Sequence, residues 1–175
     1  MAKTFENASA NAKRRTINEL LRKVRTQSTK RVRQVYNIPA AEMKKSFTLT
    51  FAKNRNPEGL VRIRAKRLPL DIFAPRPRKV QTKRGVRYGV SVRVKKSSGR
   101  KLVTGGFVGK FKSGKTIYTR TDKAINQKKR FPIQRKYTLS PAKMFTKEAE
   151  KGMFQLIEKE MPELFHRNLQ FFLRR

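Results

Sequence analysis

The chain contains no cysteine, a single histidine and only 11 acidic residues among 175. Without cysteine there is no disulfide framework, no thiol nucleophile and no thiolate metal site. One histidine, His166, excludes paired-histidine zinc chemistry. No run of about 18 apolar residues is present, so no membrane span is expected. The N-terminal stretch MAKTFENASANAKRR lacks the apolar centre of a secretory signal. The protein is therefore expected in the cytoplasm, or inside a particle released from it.

What the chain has instead is positive charge. Its 46 Lys and Arg residues leave a net charge of +35, well beyond what solubility needs. Self-repulsion at this charge calls for an external polyanion, and nucleic acid is the first candidate. The excess is uneven. Residues 76–101 hold eleven basic and no acidic side chains, and residues 110–136 hold ten and one. Residues 140–175 hold seven and five, an ordinary surface suited to packing or assembly.

The chain divides into a flexible arm, 1–15, whose residues are polar and small and expected to be disordered or adaptable unless a partner orders them, and one domain, 16–175. Ile17, Leu20, Leu21, Val24, Ser28, Val32 and Val35 recur at three- and four-residue spacings, which predicts a helix over 16–36. Asn37-Ile38-Pro39 ends it, and Pro39 opens a short second helix over Ala40 to Lys45. Alternation then takes over, giving a sheet region over 47–138. Phe47, Leu49 and Phe51 form one strand and Val61, Ile63 and Ala65 the next. Val86, Tyr88, Val90, Val92 and Val94 form a long third strand. LPLDIF, 68–73, is a short apolar piece in which Asp71 caps a turn. Residues 76–84, with two prolines and many charges, are expected as a loop, as are 122–136. Ser140-Pro141 reads as a helix start, and the apolar residues from Met144 to Leu173 give an amphipathic C-terminal helix over 141–173, kinked or restarted at Pro162. The fold class is α+β: an antiparallel sheet or small sandwich flanked by a long N-terminal helix and a C-terminal amphipathic helix.

One stretch, GKFKSGKT at Gly109 to Thr116, fits the phosphate-loop pattern at every specified position. A working phosphate loop needs a strand before it and a helix starting at its Lys-Thr pair. Here Thr116, Ile117, Tyr118 and Thr119 follow, which favours a strand, and Ser113-Gly114 between two alternating segments is a hairpin signal. No βαβ alternation surrounds it. A hairpin tip is the expectation.

No catalytic constellation stands out, so no enzyme activity, cofactor or metal is expected. The candidate nucleic-acid contacts are Arg76, Arg78, Lys79, Lys83, Arg84, Lys95, Lys96, Arg100, Lys101, Lys128, Lys129 and Arg130, with Arg135 and Lys136 beside them. These windows contain no acid, and contact with the phosphate backbone, without sequence reading, is the form of binding they suit. Stacking platforms for single strands need exposed aromatics among basic residues. The aromatics here fall on strand alternations and helix stripes, so most are expected in the core.

The order of segments resembles the minor tail protein Z family, the tail completion proteins of lambda-like long-tailed bacteriophages. The resemblance spans most of the chain. It runs through RRTINELLRKVRTQSTKRVRQ, PAAEMKKSF, LPLDIF, a basic Val-rich strand, GGFVGKF, IYTR, RFPI and SPAKMF to a closing helix. The sequence departs from the family in Leu139, where a glycine often stands, and in a shorter arginine-dense loop. The resemblance implies a structural virion protein in the phage tail, acting at its head-proximal end. It implies contact with other tail proteins (terminator or tube, and tape measure), self-association in a ring-like homo-oligomer, and sequence-independent contact with double-stranded DNA. No membrane partner is implied, and the host cytoplasm is the place of assembly. A basic RNA-binding protein of ribosomal type is the alternative. Such proteins carry long basic tails, whereas basic density here peaks in the middle and the chain closes on an amphipathic helix.

Overall fold

The structure, a computed structural model, describes residues 2–82, 85–111, 114–120 and 133–174. In chain order the elements are helix α1 (Ala2–Val35), helix α2 (Ala40–Lys45), strands β1 (Phe47–Thr50) and β2 (Leu60–Ile63), and a 3-10 turn (Leu70–Phe73). Strands β3 (Arg76–Thr82), β4 (Gly85–Val92), β5 (Lys101–Thr104), β6 (Gly106–Phe111), β7 (Gly114–Arg120) and β8 (Ile133–Arg135) follow, and helices α3 (Pro141–Met144) and α4 (Lys147–Leu173) close the chain. The fold is α+β, with every sheet antiparallel. The chain divides into two compact units. The first is 1–32, 43–64 and 142–175; the second is 33–42 and 65–141.

In the first unit α1 and α4 run antiparallel. Side-chain bonds pair Thr16 with Asn168, Glu19 with Arg167 and Lys23 with Glu160. Further along, the Arg31 guanidinium occupies the space where a side chain at Gly152 would stand. As the α1 number rises, the α4 number falls. The buried stripe of α1 has a spacing of four: Ala8, Ala12, Thr16, Leu20, Val24, Ser28 and Val32. Four residues turn the helix by about 400°, so the buried face precesses by about 40° at each step. Small residues at Ala8, Ala12, Thr16 and Ser28 allow close approach. Residues 2–15, expected as part of a flexible arm, are the opening turns of this helix. Their periodic signal is Ala at 8 and 12, which polarity alone conceals.

The β1–β2 hairpin lies against α1. Asn18 acts as a surrogate strand: its Nδ2 donates to the Ala52 carbonyl at 3.1 Å and its Oδ1 accepts from the Ala52 N–H at 2.8 Å. Gly59 is pressed against Ile17 and Leu21, and a Cβ there would approach Ile17 to 2.6 Å. A helix starts at Pro141 as expected, but the C-terminal segment is two helices and not one. The single turn α3 is separate, and α4 starts afresh with Thr146 as N-cap, its side chain accepting from the Ala149 N–H. At Pro162 the helix neither ends nor restarts.

The second unit is built from two three-stranded sheets, ordered β3-β4-β5 and β6-β7-β8. Val90 and Val92 of β4, Ile117 of β7 and Leu70 of the 3-10 turn form its core, with Val94 and Val103 packed against them. Phe73, at the end of that turn, is fully buried. Of the apolar alternation of β4, Val90 and Val92 are buried and Val86 is exposed. Residues 33–37 are tied to this unit: the Lys96 N–H donates to the Val35 carbonyl and the Asn37 N–H to the Val94 carbonyl, each at 2.8 Å.

Candidate nucleic-acid interface

Residues 76–82, expected as a loop, form β3, and 133–135 likewise form β8. Pro77 is compatible with a strand because β3 is the edge of its sheet, where one side of the backbone donates to no neighbour. Arginine, lysine and proline on an exposed edge also discourage strand-to-strand aggregation. The register aligns Arg76 with Ser91 and Leu102, and Arg78 with Gly89 and Thr104. These rows alternate with the row of Val90, which faces the core. Arg76 and Arg78 therefore share the outer face of the sheet, and both are exposed.

Arg100 reaches the same face but is already engaged. Its Nε donates to Ser91 Oγ at 3.3 Å, and its Nη2 donates to the carbonyls of Ser91 and of Ala74. Ala74 has φ of 46°, a left-handed conformation that a non-glycine residue adopts at a cost, and the Arg100 bond helps to hold it. Arg100 thus serves the sheet's geometry first. Lys101 starts β5, and Lys95 and Lys96 lie in the β4–β5 connection; all three are exposed. Lys83, Arg84, Lys128, Lys129 and Arg130 lie outside the described residues.

β5 pairs with β4 only along Gly89–Val92, whereas β3 pairs with β4 along its full length, from Arg76↔Ser91 to Thr82↔Gly85. Residues 79–82 and 85–88 therefore form a two-stranded ribbon beyond the third strand, roughly 13 Å long at about 3.3 Å per residue. Its sequence, KVQTKRGVRY, carries no acid.

The phosphate-loop pattern has no phosphate-loop geometry. Gly109 pairs with Thr116 and Lys110 with Lys115 across the antiparallel β6–β7 hairpin, so no helix begins at Lys115-Thr116. The turn residues 112 and 113 lie outside the described residues. Thr116 is fully buried, and its Oγ1 donates to Asp71 Oδ1 at 2.6 Å. The hydroxyl that would hold Mg²⁺ in a phosphate loop fixes β7 to the 3-10 turn instead, which gives Asp71 its structural role.

Among the described residues no group of three or more His, Asp or Glu side chains is placed to hold a metal ion. Nor is any described helix long and apolar enough to cross a membrane. The expectation that most aromatics are core fails for Phe5, Phe51, Phe154 and Phe171, which are exposed. Helical and strand periodicity locates an apolar face but not what covers it.

The family model described as prophage minor tail protein Z (GPZ) matches residues 3–175. No curated protein and no solved structure matches the chain.

Proposed function

The chain belongs to the prophage minor tail protein Z family, and on that premise we propose that it is a non-enzymatic structural component completing the head-proximal end of a phage tail. In this reading it sits among other tail proteins and touches DNA without reading sequence. The observation that carries the DNA part is the acid-free outer face of β3-β4-β5, with exposed Arg76 and Arg78, continued by the basic β3–β4 ribbon. A two-stranded ribbon has the width that a DNA major groove admits, and arginines on its root are placed for phosphates. Between like-charged copies this face would repel, so a polyanion is its fitting neighbour.

Self-association uses a different surface. Phe154 and Met161 on α4 are exposed, in the stretch where acids nearly balance bases. That is where two highly cationic copies meet with least repulsion. Phe154→Glu with Met161→Glu is expected to lower the mass found by light scattering; an unchanged mass would remove α4 from the interface.

The DNA reading is tested by salt. With six to ten phosphate contacts, duplex affinity is expected to fall about 10³–10⁵-fold between about 50 and 200 mM salt. Replacing Arg76, Arg78, Lys79 and Lys101 with Gln is expected to flatten the log–log slope by about 0.9 for each phosphate that is no longer neutralised. Salt-insensitive binding, or this face seated on an acidic tail subunit away from DNA, would turn the protein into an electrostatic clamp between proteins.

A further inference from the structure

The first unit carries a second cationic site, assembled from the two ends of the chain. A cleft of about 490 Å³ lies between α1 and the last turns of α4, lined by Arg14, Arg15, Glu19, Arg22, Phe171 and Phe172. Arg14, Asn18 and Arg22 follow one another at spacings of four, so they form one row along the helix. The Arg15 guanidinium lies 4.6 Å from the centre of the Phe171 ring, and the Arg22 guanidinium 5.1 Å from that of Phe51. Phe171 and Phe172 meet edge to face at 5.2 Å.

The one carboxylate in the cleft is occupied. Glu19 accepts from Arg15 Nε at 3.1 Å and from Arg167. The guanidinium groups of Arg14 and Arg22 make no hydrogen bond or ion pair with a described residue. Two cations without a carboxylate partner therefore stand in or beside the cleft, Arg14 in a lining shared with Phe171 and Arg22 over the ring of Phe51, and the two rings are 40% and 41% exposed. Half-exposed rings next to unpaired arginines are the combination that sequence-tolerant single-strand sites use: phosphates on the arginines, bases stacked on rings and guanidinium planes. A duplex keeps its bases inside and offers these rings nothing. An acidic peptide satisfies the arginines but leaves the rings in water.

We propose that this cleft, together with Phe51 next to its Arg22, binds single-stranded nucleic acid, with Arg14 and Arg22 on the backbone and Phe51 and Phe171 under the bases. The site is separate from the β3–β4 face, and the two stand or fall by different variants.

The test is fluorescence anisotropy with a labelled oligothymidylate and a blunt duplex of equal length, on the full chain. Phe51→Leu with Phe171→Leu is expected to weaken oligothymidylate binding by about tenfold for each base that no longer stacks and to leave duplex binding unchanged. Arg14→Gln with Arg22→Gln is expected to flatten the single-strand salt slope by about 0.7 for each phosphate released. This pair lies outside the core and decides the matter should the phenylalanine variant unfold in a thermal melt. Unchanged oligothymidylate binding in the folded phenylalanine or arginine pair overturns the proposal. So does polyglutamate competing for the cleft as well as the oligonucleotide does, which would make it an acidic-peptide site. Loss of duplex binding confined to the Arg76, Arg78, Lys79 and Lys101 variant leaves the cleft untouched, so failure of one reading is distinguishable from failure of the other.

Discussion

The two units of this molecule handle the same excess of positive charge in different ways. The first holds 22 basic and eight acidic side chains, the second 24 and three. In the first, two of the acids join helices α1 and α4: Glu19 takes Arg167 as well as Arg15 of its own helix, and Glu160 takes Lys23. In the second, the acid with a described role, Asp71, is spent on the Thr116 hydroxyl. The positive field of the second unit therefore has little internal counter-charge. Charge in a small domain can be partly neutralised by its own helix pairs or left for a partner, and this chain does each in a different place.

The largest effect that sharpens the contrast is in the second unit's core. Phe73 is fully buried, and Phe73→Ala is expected to cost about 3–5 kcal/mol. Urea unfolding followed by amide exchange should show Val90 and Ile117 losing protection before Leu20 and Val24. Simultaneous loss in both units would show that they unfold as one. Next come the buried polar pairs, one in each unit. Thr16→Val removes the partner of the Asn168 side-chain amide, which lies at 3.0 Å from Thr16 Oγ1, and Thr116→Val removes the donor to Asp71. Each is expected to cost about 1–3 kcal/mol, because the group left behind stays desolvated. A neutral result at either position, by thermal or urea midpoint, would show that water replaces the missing partner. Thr146→Ala removes the N-cap of α4 and is expected to cost about 1 kcal/mol. Smallest is Lys23→Ala: its pair with Glu160 is partly exposed, so the loss should stay below about 1 kcal/mol.

Salt offers a direct attempt to break the comparison. Screening relieves repulsion in the second unit but also weakens ion pairs in the first. Added sodium chloride is thus expected to raise exchange protection at Val90 and Ile117 more than at Leu20 and Val24. An equal response in both units would mean that the acids of the first contribute no distinct stabilisation.

Much of the fold is legible in the residues. Thr-Ile-Tyr-Thr after Gly114-Lys115 marks a strand whatever motif overlaps it, and β7 is that strand. The stripe through Leu20, Val24, Ser28 and Val32 marks α1. Less legible are features set by neighbours. Residues 76–82 look like a loop because proline and charge disfavour strands on average, yet an edge strand tolerates both. Ser140-Pro141 reads as the start of the last long helix, yet only the single turn α3 starts there and Thr146 caps the long helix α4.

The candidate site divides along the same line. Composition and spacing by themselves determined the charge, the basic windows, the lack of cysteine chemistry and the α+β alternation, because each depends on residue identity or on neighbours a few positions apart. Only the tertiary structure decided which cations are spent and which are not. Arg100 is bound to Ser91 and Ala74 while Arg76 and Arg78 stand exposed on the same sheet face. Arg22 meets Phe51, and Arg14 shares a cleft with Phe171, across long stretches of chain. Whether a charge is compensated depends on distances of a few ångströms between residues far apart in sequence, and no local pattern encodes that.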